Sequence, residues 1–167
     1  KPCLETVERM LGSCRRELRN CLFDLRNDTL AENDFELAVK RTLEPFSVET
    51  EIRTRISVSR SRLKETTAHA ILAILRELTA NAVRHGAAAS VRIAGSTTAD
   101  QFIFSVRDDG RGFNPDEATG APEGHFGLAG IRDRLNRLGG KIDILSAPGT
   151  GTKVRFHIPR SQQENNV

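Results

Sequence analysis

The sequence predicts an α/β chain: a two-layer sandwich of a mixed β-sheet and helices, preceded by one bundle-forming helix. Three observations carry that expectation. From Leu63 to Gly86, apolar residues recur at Ile71, Leu75, Leu78 and Ala82, the three- and four-residue steps of a helix with one buried face. Further on, Val91/Ile93 and Phe102/Phe104/Val106 alternate with polar residues, as half-buried strands do. Upstream, Leu4, Val7, Leu11, Cys14, Leu18, Cys21 and Leu25 keep a heptad seam, with Arg15, Arg16, Glu17 and Arg19 around it.

In chain order, the seam predicts a helix over residues 3–27, closed by Asn27-Asp28. A lone helix cannot bury such a seam, so partner helices are expected. Glu32-Asn33-Asp34 starts a second helix, from Phe35 to about Leu43, which Pro45 stops. Val48, Ile52, Ile56 and Val58 make residues 47–59 a strand of uncertain register. The long helix follows and ends at Gly86, with His85 in its last turn. Residues 90–95 and 101–107 form a hairpin pair, and residues 113–126 a polar loop punctuated by Pro115, Gly120, Pro122 and Gly124. An amphipathic helix runs from Gly127 to Leu138. Strands over 141–146 and 152–158 close the fold, and residues 161–167 are a polar tail.

Composition narrows the function classes. Hydrophobic content of 38% and charged content of 28% are those of an ordinary globular chain. The net charge of +3 suits a phosphate-bearing ligand, but Trp and Tyr are absent, which disfavours nucleic-acid binding through base stacking. No apolar run reaches the roughly 20 residues of a membrane span. The chain opens at Lys1-Pro2 without a Met, and we read it as a cytoplasmic piece of a longer protein, with any membrane segments upstream of it. The three cysteines, Cys3, Cys14 and Cys21, have no histidine nearby to complete a zinc site, and we read them as small packing residues.

Four boxes carry chemistry. Glu77, Asn81 and His85 fall four apart, a polar stripe beside the buried face of the long helix. They are either a solvated face or a carboxylate, an amide and an imidazole serving a hydrated magnesium ion and its phosphates. Asp108-Asp109-Gly110-Arg111-Gly112 ends a strand in an acidic pair and turns sharply. That is a plain Asp-Gly turn, or an Asp placed to accept from an exocyclic amine where glycines let a flat ring approach. Gly124-His125-Phe126-Gly127-Leu128-Ala129-Gly130 runs into a helix, offering amides for an anion. Gly149-Thr150-Gly151-Thr152 is a hairpin turn, with Thr152 a strand residue or a hydroxyl donor to phosphate. Neither a P-loop nor a G-x-G-x-x-G fingerprint occurs.

In this order the four boxes resemble the ATP-binding domain shared by gyrase, Hsp90, histidine kinases and MutL, the Bergerat-type fold. Gly127 to Arg134, Leu138-Gly139-Gly140 and Ser146 to Thr152 are similar to sensor histidine kinases of the nitrate/nitrite and membrane-fluidity type. The resemblance covers residues 47–159 firmly. It implies three parts: residues 1–46 as the second helix of a dimerisation domain and its connector, 47–160 as the catalytic domain, and 161–167 as a tail.

The same resemblance implies ATP and Mg²⁺ as ligands, with Asn81 on the metal and Glu77 holding or polarising a water. It places Arg84, His85, Gly127 and Gly130 toward the phosphates, with Leu128 in the same box. Asp108 would take the adenine amine, Gly110 and Gly112 would shape its pocket, and Thr152 would back the adenine side. Residues 113–126 would be the ATP lid. Asp109 departs from the Asn most common there.

One departure is large. None of His69, His85, His125 and His157 is followed by Asp or Glu, so the phosphoacceptor motif is missing. The expected function is transfer of the γ-phosphoryl of ATP to a histidine on a dimerisation helix outside this chain. The expected partners are that helix, a response regulator, and a second copy through residues 4–25. Two rivals stand beside it, an anti-sigma-factor-type serine kinase and a non-catalytic nucleotide-sensing module. The heptad helix and the Leu-Gly-Gly to Thr-Gly-Thr hairpin count against the first, and the intact Glu77/Asn81/Asp108 set against the second.

Overall fold

The computed structural model describes residues 34–48, 50–115 and 126–160. The heptad helix with its expected dimer contact, most of the expected lid and the tail lie outside the described residues. Asp34 caps the first described helix, its side chain accepting from the Glu36 N–H at 2.9 Å. Helix α1 (Phe35–Leu43) runs into a 3₁₀ turn at Glu44–Phe46 containing Pro45. Strand β1 (Glu51–Ser57) leads through a second 3₁₀ turn, Arg60–Arg62, into α2 (Glu65–Arg84). Then follow β2 (Ser90–Thr97), β3 (Gln101–Asp108), α3 (Phe126–Arg137), β4 (Lys141–Ser146) and β5 (Thr152–Pro159).

The five strands form one sheet in the order β1-β2-β3-β5-β4. β1 and β2 are parallel, joined through α2, and every other pairing is antiparallel. The sheet is therefore mixed, with the helices on one face. Alternation decides which face they cover: Val91, Ile93, Phe102, Phe104, Val106, Val154, Phe156 and Ile158 are all buried beneath them. Phe104 stacks on Phe156 with centroids 5.3 Å apart and meets Phe35 edge-on at 6.3 Å. A Cβ at Gly95 would lie 2.6 Å from the Phe104 ring, so that ring fills the space a side chain would need.

Helix α2 lies on the sheet between α1 and α3 and packs against both. Ile71, Leu72, Ile74 and Leu75 are at most 1% exposed. Buried Thr79 is satisfied by its own helix, donating to the Leu75 carbonyl at 2.8 Å.

The structure adjusts several expectations. The long helix begins at Glu65 rather than Leu63, because Arg60–Arg62 takes the 3₁₀ turn before it. Val48 is 88% exposed and outside β1, since it follows the Pro45 turn before the strand begins. Helix α2 ends at Arg84 with His85 as its C-cap, and the left-handed conformation after it falls on Ala87, with φ 49°. Glycine is needed at 86 for close approach, since a Cβ would sit 2.6 Å from the Ala82 carbonyl oxygen. The core also reaches upstream of the expected boundary at residue 47. Phe35, Ala38, Val39 and Leu43 of α1 are at most 1% exposed within the same core as the sheet. Among the described residues, no helix is long and apolar enough to cross a membrane.

Placing α1 in the core has a measurable consequence. Phe35→Ala should cost about 3–5 kcal/mol of unfolding free energy, the usual loss for emptying a buried aromatic site. Urea denaturation checks this. A loss below about 1 kcal/mol would mean that α1 is a loosely attached connector.

Candidate functional site

A cavity of about 290 Å³ opens between α2, the start of α3 and the ends of β3 and β5. Its walls are apolar: Leu78 and Ala82 from α2, Val106 and Val154 from the sheet, Leu128 from α3, and Phe113. Asn81 and His85 from α2, with Asp108 and Thr152 from the strand ends, supply its polar groups. A mostly apolar slot with a few convergent polar groups is the usual form of a small-molecule site.

Asp108 is fixed by two loops at once. Its Oδ1 accepts the Gly110 N–H at 2.9 Å and the Thr152 N–H at 3.1 Å. Oδ2 has no hydrogen-bond partner among the described residues, and the residue lines the cavity. Burial pushes the carboxyl above its ordinary pKa, the two N–H donors pull the other way, and neighbouring Asp109 adds repulsion. Asp109 has a different role: its Oδ1 accepts the Ser90 N–H at 2.8 Å and ties the end of β3 to the start of β2.

Ser146, whose hydroxyl the sequence reading assigned no role, holds the two loops together. Its hydroxyl accepts the Phe113 N–H at 2.9 Å, donates to the Gly151 carbonyl at 3.1 Å and lies 3.0 Å from the Thr152 hydroxyl. The Arg111 carbonyl accepts the Gly149 N–H at 2.6 Å, and the Gly86 carbonyl accepts the Arg111 N–H at 2.8 Å. Gly112 and Gly151 are both left-handed, with φ 64° and 75°. A Cβ on Gly112 would also overlap the Ala147 carbonyl oxygen, so the zipped loops require glycine there.

The Glu77/Asn81 pair sits beside α3, at one end of the cavity. A Cβ built on Gly127 would lie 2.6 Å from Glu77 Oε1, 3.2 Å from Asn81 Nδ2 and 3.5 Å from Asn81 Oδ1. Two oxygen-bearing side chains thus converge where the α3 backbone passes without a side chain. Among the described residues, no three His, Cys, Asp or Glu side chains cluster to hold a metal. An ion held by Glu77 and Asn81 would therefore take further ligands from phosphate and water, the habit of Mg²⁺.

The remaining expected site residues divide. Asn81, His85, Asp108, Gly112, Leu128 and Thr152 line the cavity. Gly110 lies just behind it, where a Cβ would be 2.7 Å from the Gly86 carbonyl oxygen. Arg84 is exposed in the last turn of α2 and does not line the cavity. Gly130 is also outside it, exposed, with open space where a Cβ would be. His69 lies 3.9 Å from Glu65 one helical turn away, and His157 sits within β5. His125 is outside the described residues.

The sequence profile of the histidine kinase-, DNA gyrase B- and HSP90-like ATPases matches residues 66–162. The chain is 24% identical over 161 residues to the sensor histidine kinase LiaS of Bacillus subtilis, covering 96% of this chain and 44% of LiaS. It is 26% identical over 163 residues to the signal transduction histidine-protein kinase/phosphatase DegS of Brevibacillus brevis, covering 96% of this chain and 42% of DegS. The chain thus spans less than half the length of these relatives. Among solved structures, the blue-light activated histidine kinase of Erythrobacter litoralis EL346 shares the fold with a TM-score of 0.72. Its identity is 22%, covering 94% of this chain and 51% of that one. The histidine kinase AdeS of Acinetobacter baumannii gives a TM-score of 0.63 at 20% identity, covering 98% of this chain and 82% of that one.

The raised pKa of Asp108 fixes the sign of a pH effect. Because the folded state holds this proton more tightly than the unfolded chain, the stability linked to it is fully present at acid pH. It is lost as pH rises through the raised folded value. Asp108→Asn keeps an oxygen for both N–H donors and removes the charge. The variant should therefore match or exceed the parent's stability near neutral pH, with the advantage shrinking below the carboxylate range. Denaturant melts at the two pH values test this. An Asn variant that is less stable at neutral pH and recovers in acid would contradict it.

Proposed function

Because the chain belongs to the family of histidine kinase-, DNA gyrase B- and HSP90-like ATPases, we propose that it is the Mg-ATP-binding catalytic domain of a two-component sensor histidine kinase. It moves the γ-phosphoryl of ATP to a histidine on a dimerisation helix outside this chain. The observation that carries the reading is the Asp108 carboxylate, with Oδ1 held by two backbone amides and Oδ2 left without a partner in an apolar slot.

In this reading the adenine enters between Leu78, Ala82 and Leu128 on the helix side and Val106 and Val154 on the sheet side. Its exocyclic amine donates to Asp108, and Thr152 stands beside the ring. The phosphates run past His85 and Arg84 toward the start of α3, where Gly127 and Gly130 offer backbone rather than side chains. Asn81 and Glu77, whose side chains both lie beside Gly127, would hold a magnesium ion through the hard amide and carboxylate oxygens it prefers. When bound, the ion supplies charge neutralisation on the phosphates. An imidazole nitrogen of the acceptor attacks the γ-phosphorus, the bond to the bridging β–γ oxygen breaks, and ADP leaves. The imidazole proton passes to a base on the acceptor segment. Such transfer rests chiefly on positioning and charge stabilisation.

The domain assignment moves with α1. The catalytic unit takes in residues 34–160, and pairing with a second copy through residues 4–25 would lie outside it. The response regulator would receive the phosphoryl group from the acceptor histidine, away from the nucleotide cavity.

Incubating the chain with γ-labelled ATP and the parent's acceptor helix tests the reading. Label on a histidine, lost in acid and stable in base, is expected. Label on a serine of a partner protein, or none, would contradict it. Asn81→Ala should weaken Mg-ATP binding at least about tenfold, near 1.4 kcal/mol. Asp108→Asn should weaken it by a comparable factor, since it turns an acceptor into a donor facing the amine. Asp109→Asn should be nearly silent, because its oxygen still accepts from Ser90. Titration with a fluorescent ATP analogue separates the three, and equal losses at 108 and 109 would refute the assignment.

A further inference from the structure

The sheet face opposite the helices concentrates positive charge. Cross-strand partners share a face, and the register sets Arg53, Arg92, Arg107 and Lys153 in one row over four strands. The next row places Arg55 and Arg155 on either side of Ala94 and Ser105, and Lys141 follows on β4. All seven of these cations are exposed. The carboxylates on the same strand face are Glu51, paired with Arg53 at 2.7 Å, and Asp143. Among the described residues, Arg55, Arg92, Arg107, Lys153 and Arg155 have no ion-pair partner. The whole chain carries only +3, so outside this face carboxylates outnumber cations.

Like charges directly opposite one another weaken a sheet. A row of four therefore works against the fold, and a bound anionic surface would relieve that strain. The centre of the face is a shallow depression of about 350 Å³, where Gly95 leaves Phe104 and Ile103 at the lining beside Ala94 and Ser105, with Arg55, Lys153 and Arg155 around them. At the β4 edge, in register with Lys153, Leu145 is 68% exposed.

We propose that this face docks on an anionic lipid bilayer, its guanidinium and ammonium groups meeting headgroup phosphates. The nucleotide cavity on the other side of the sheet stays open. Five strands spaced about 4.8 Å apart make a broad surface, so an extended anionic layer engages cations from several strands together. The convex backbone of a duplex would touch only a strip of it. Binders of single-stranded nucleic acid add exposed aromatic stacking platforms, whereas here Phe104 is fully buried under the depression and His157 is a single, partly buried ring. The anchors of a tight protein interface are chiefly Trp, Tyr and Arg set in well-packed pockets, and this face offers arginines without such pockets. Five of the seven cations are arginine, whose planar fork pairs with two phosphate oxygens. Each cation near an anionic leaflet strengthens binding roughly fivefold.

Sedimentation of the full chain with vesicles tests the proposal, using phosphatidylcholine alone or mixed with phosphatidylglycerol. The expected result is co-sedimentation with the anionic vesicles only, abolished by high salt. The combined variant Arg55→Gln, Arg92→Gln and Arg155→Gln should bind them at least about tenfold more weakly while Mg-ATP binding stays unchanged. Equal behaviour with both vesicle types, or an unaffected variant, would overturn the proposal. So would tighter binding to duplex DNA than to the anionic vesicles.

Discussion

One carboxylate oxygen sets the geometry of the candidate site. Asp108 Oδ1 takes an N–H from the loop that follows β3 and another from the first residue of β5, so two loops distant in sequence share one anchor. Removing that oxygen would free both amides and release the strand ends that face α2. The Ser146 hydroxyl and the Gly149-to-Arg111 bond support the same junction from behind. The cost is visible in Asp108 itself. Its carboxyl is held where burial opposes its charge, which is poor for stability and suited to a group that needs a partner.

The rest of the fold serves that junction. The stacked Phe104 and Phe156 hold β3 and β5 in register, and that register brings Thr152 to Asp108. On the other wall, α2 is buried along most of its length, so Asn81 and His85 have little freedom to leave the cavity. The two faces of the sheet do separate work. The helix face holds the apolar core and the slot, while the open face gathers charge that the core could not tolerate.

Much of this was legible in the sequence, for identifiable reasons. The four-residue spacing of Glu77, Asn81 and His85 is a property of one helix, and the glycine boxes are local turns. Local signals survive without a tertiary context. The apolar spacing of Phe35, Ala38, Val39 and Leu43 was also present, but the sequence does not say which core a short helix joins. Ser146 stood in a recognisable stretch, but its hydroxyl's bonds to Phe113 and Gly151 were not legible, because a single hydroxyl at a strand end looks like any other. Gly86 marked the helix end in the sequence, but its close contacts with Ala82 and the Gly110 loop are tertiary and gave no signal there. The place of β5 between β3 and β4 is a tertiary choice that hairpin patterns leave open.

The claim that the Asp108 carboxylate reads the purine amine can be tested without altering the protein. Calorimetric titration would compare ATP with purine riboside triphosphate, which lacks the exocyclic amine and keeps the ring, sugar and phosphates. The account predicts at least about tenfold tighter binding of ATP, since the analogue leaves a half-buried carboxylate without its donor. Equal affinities for the two nucleotides would contradict it.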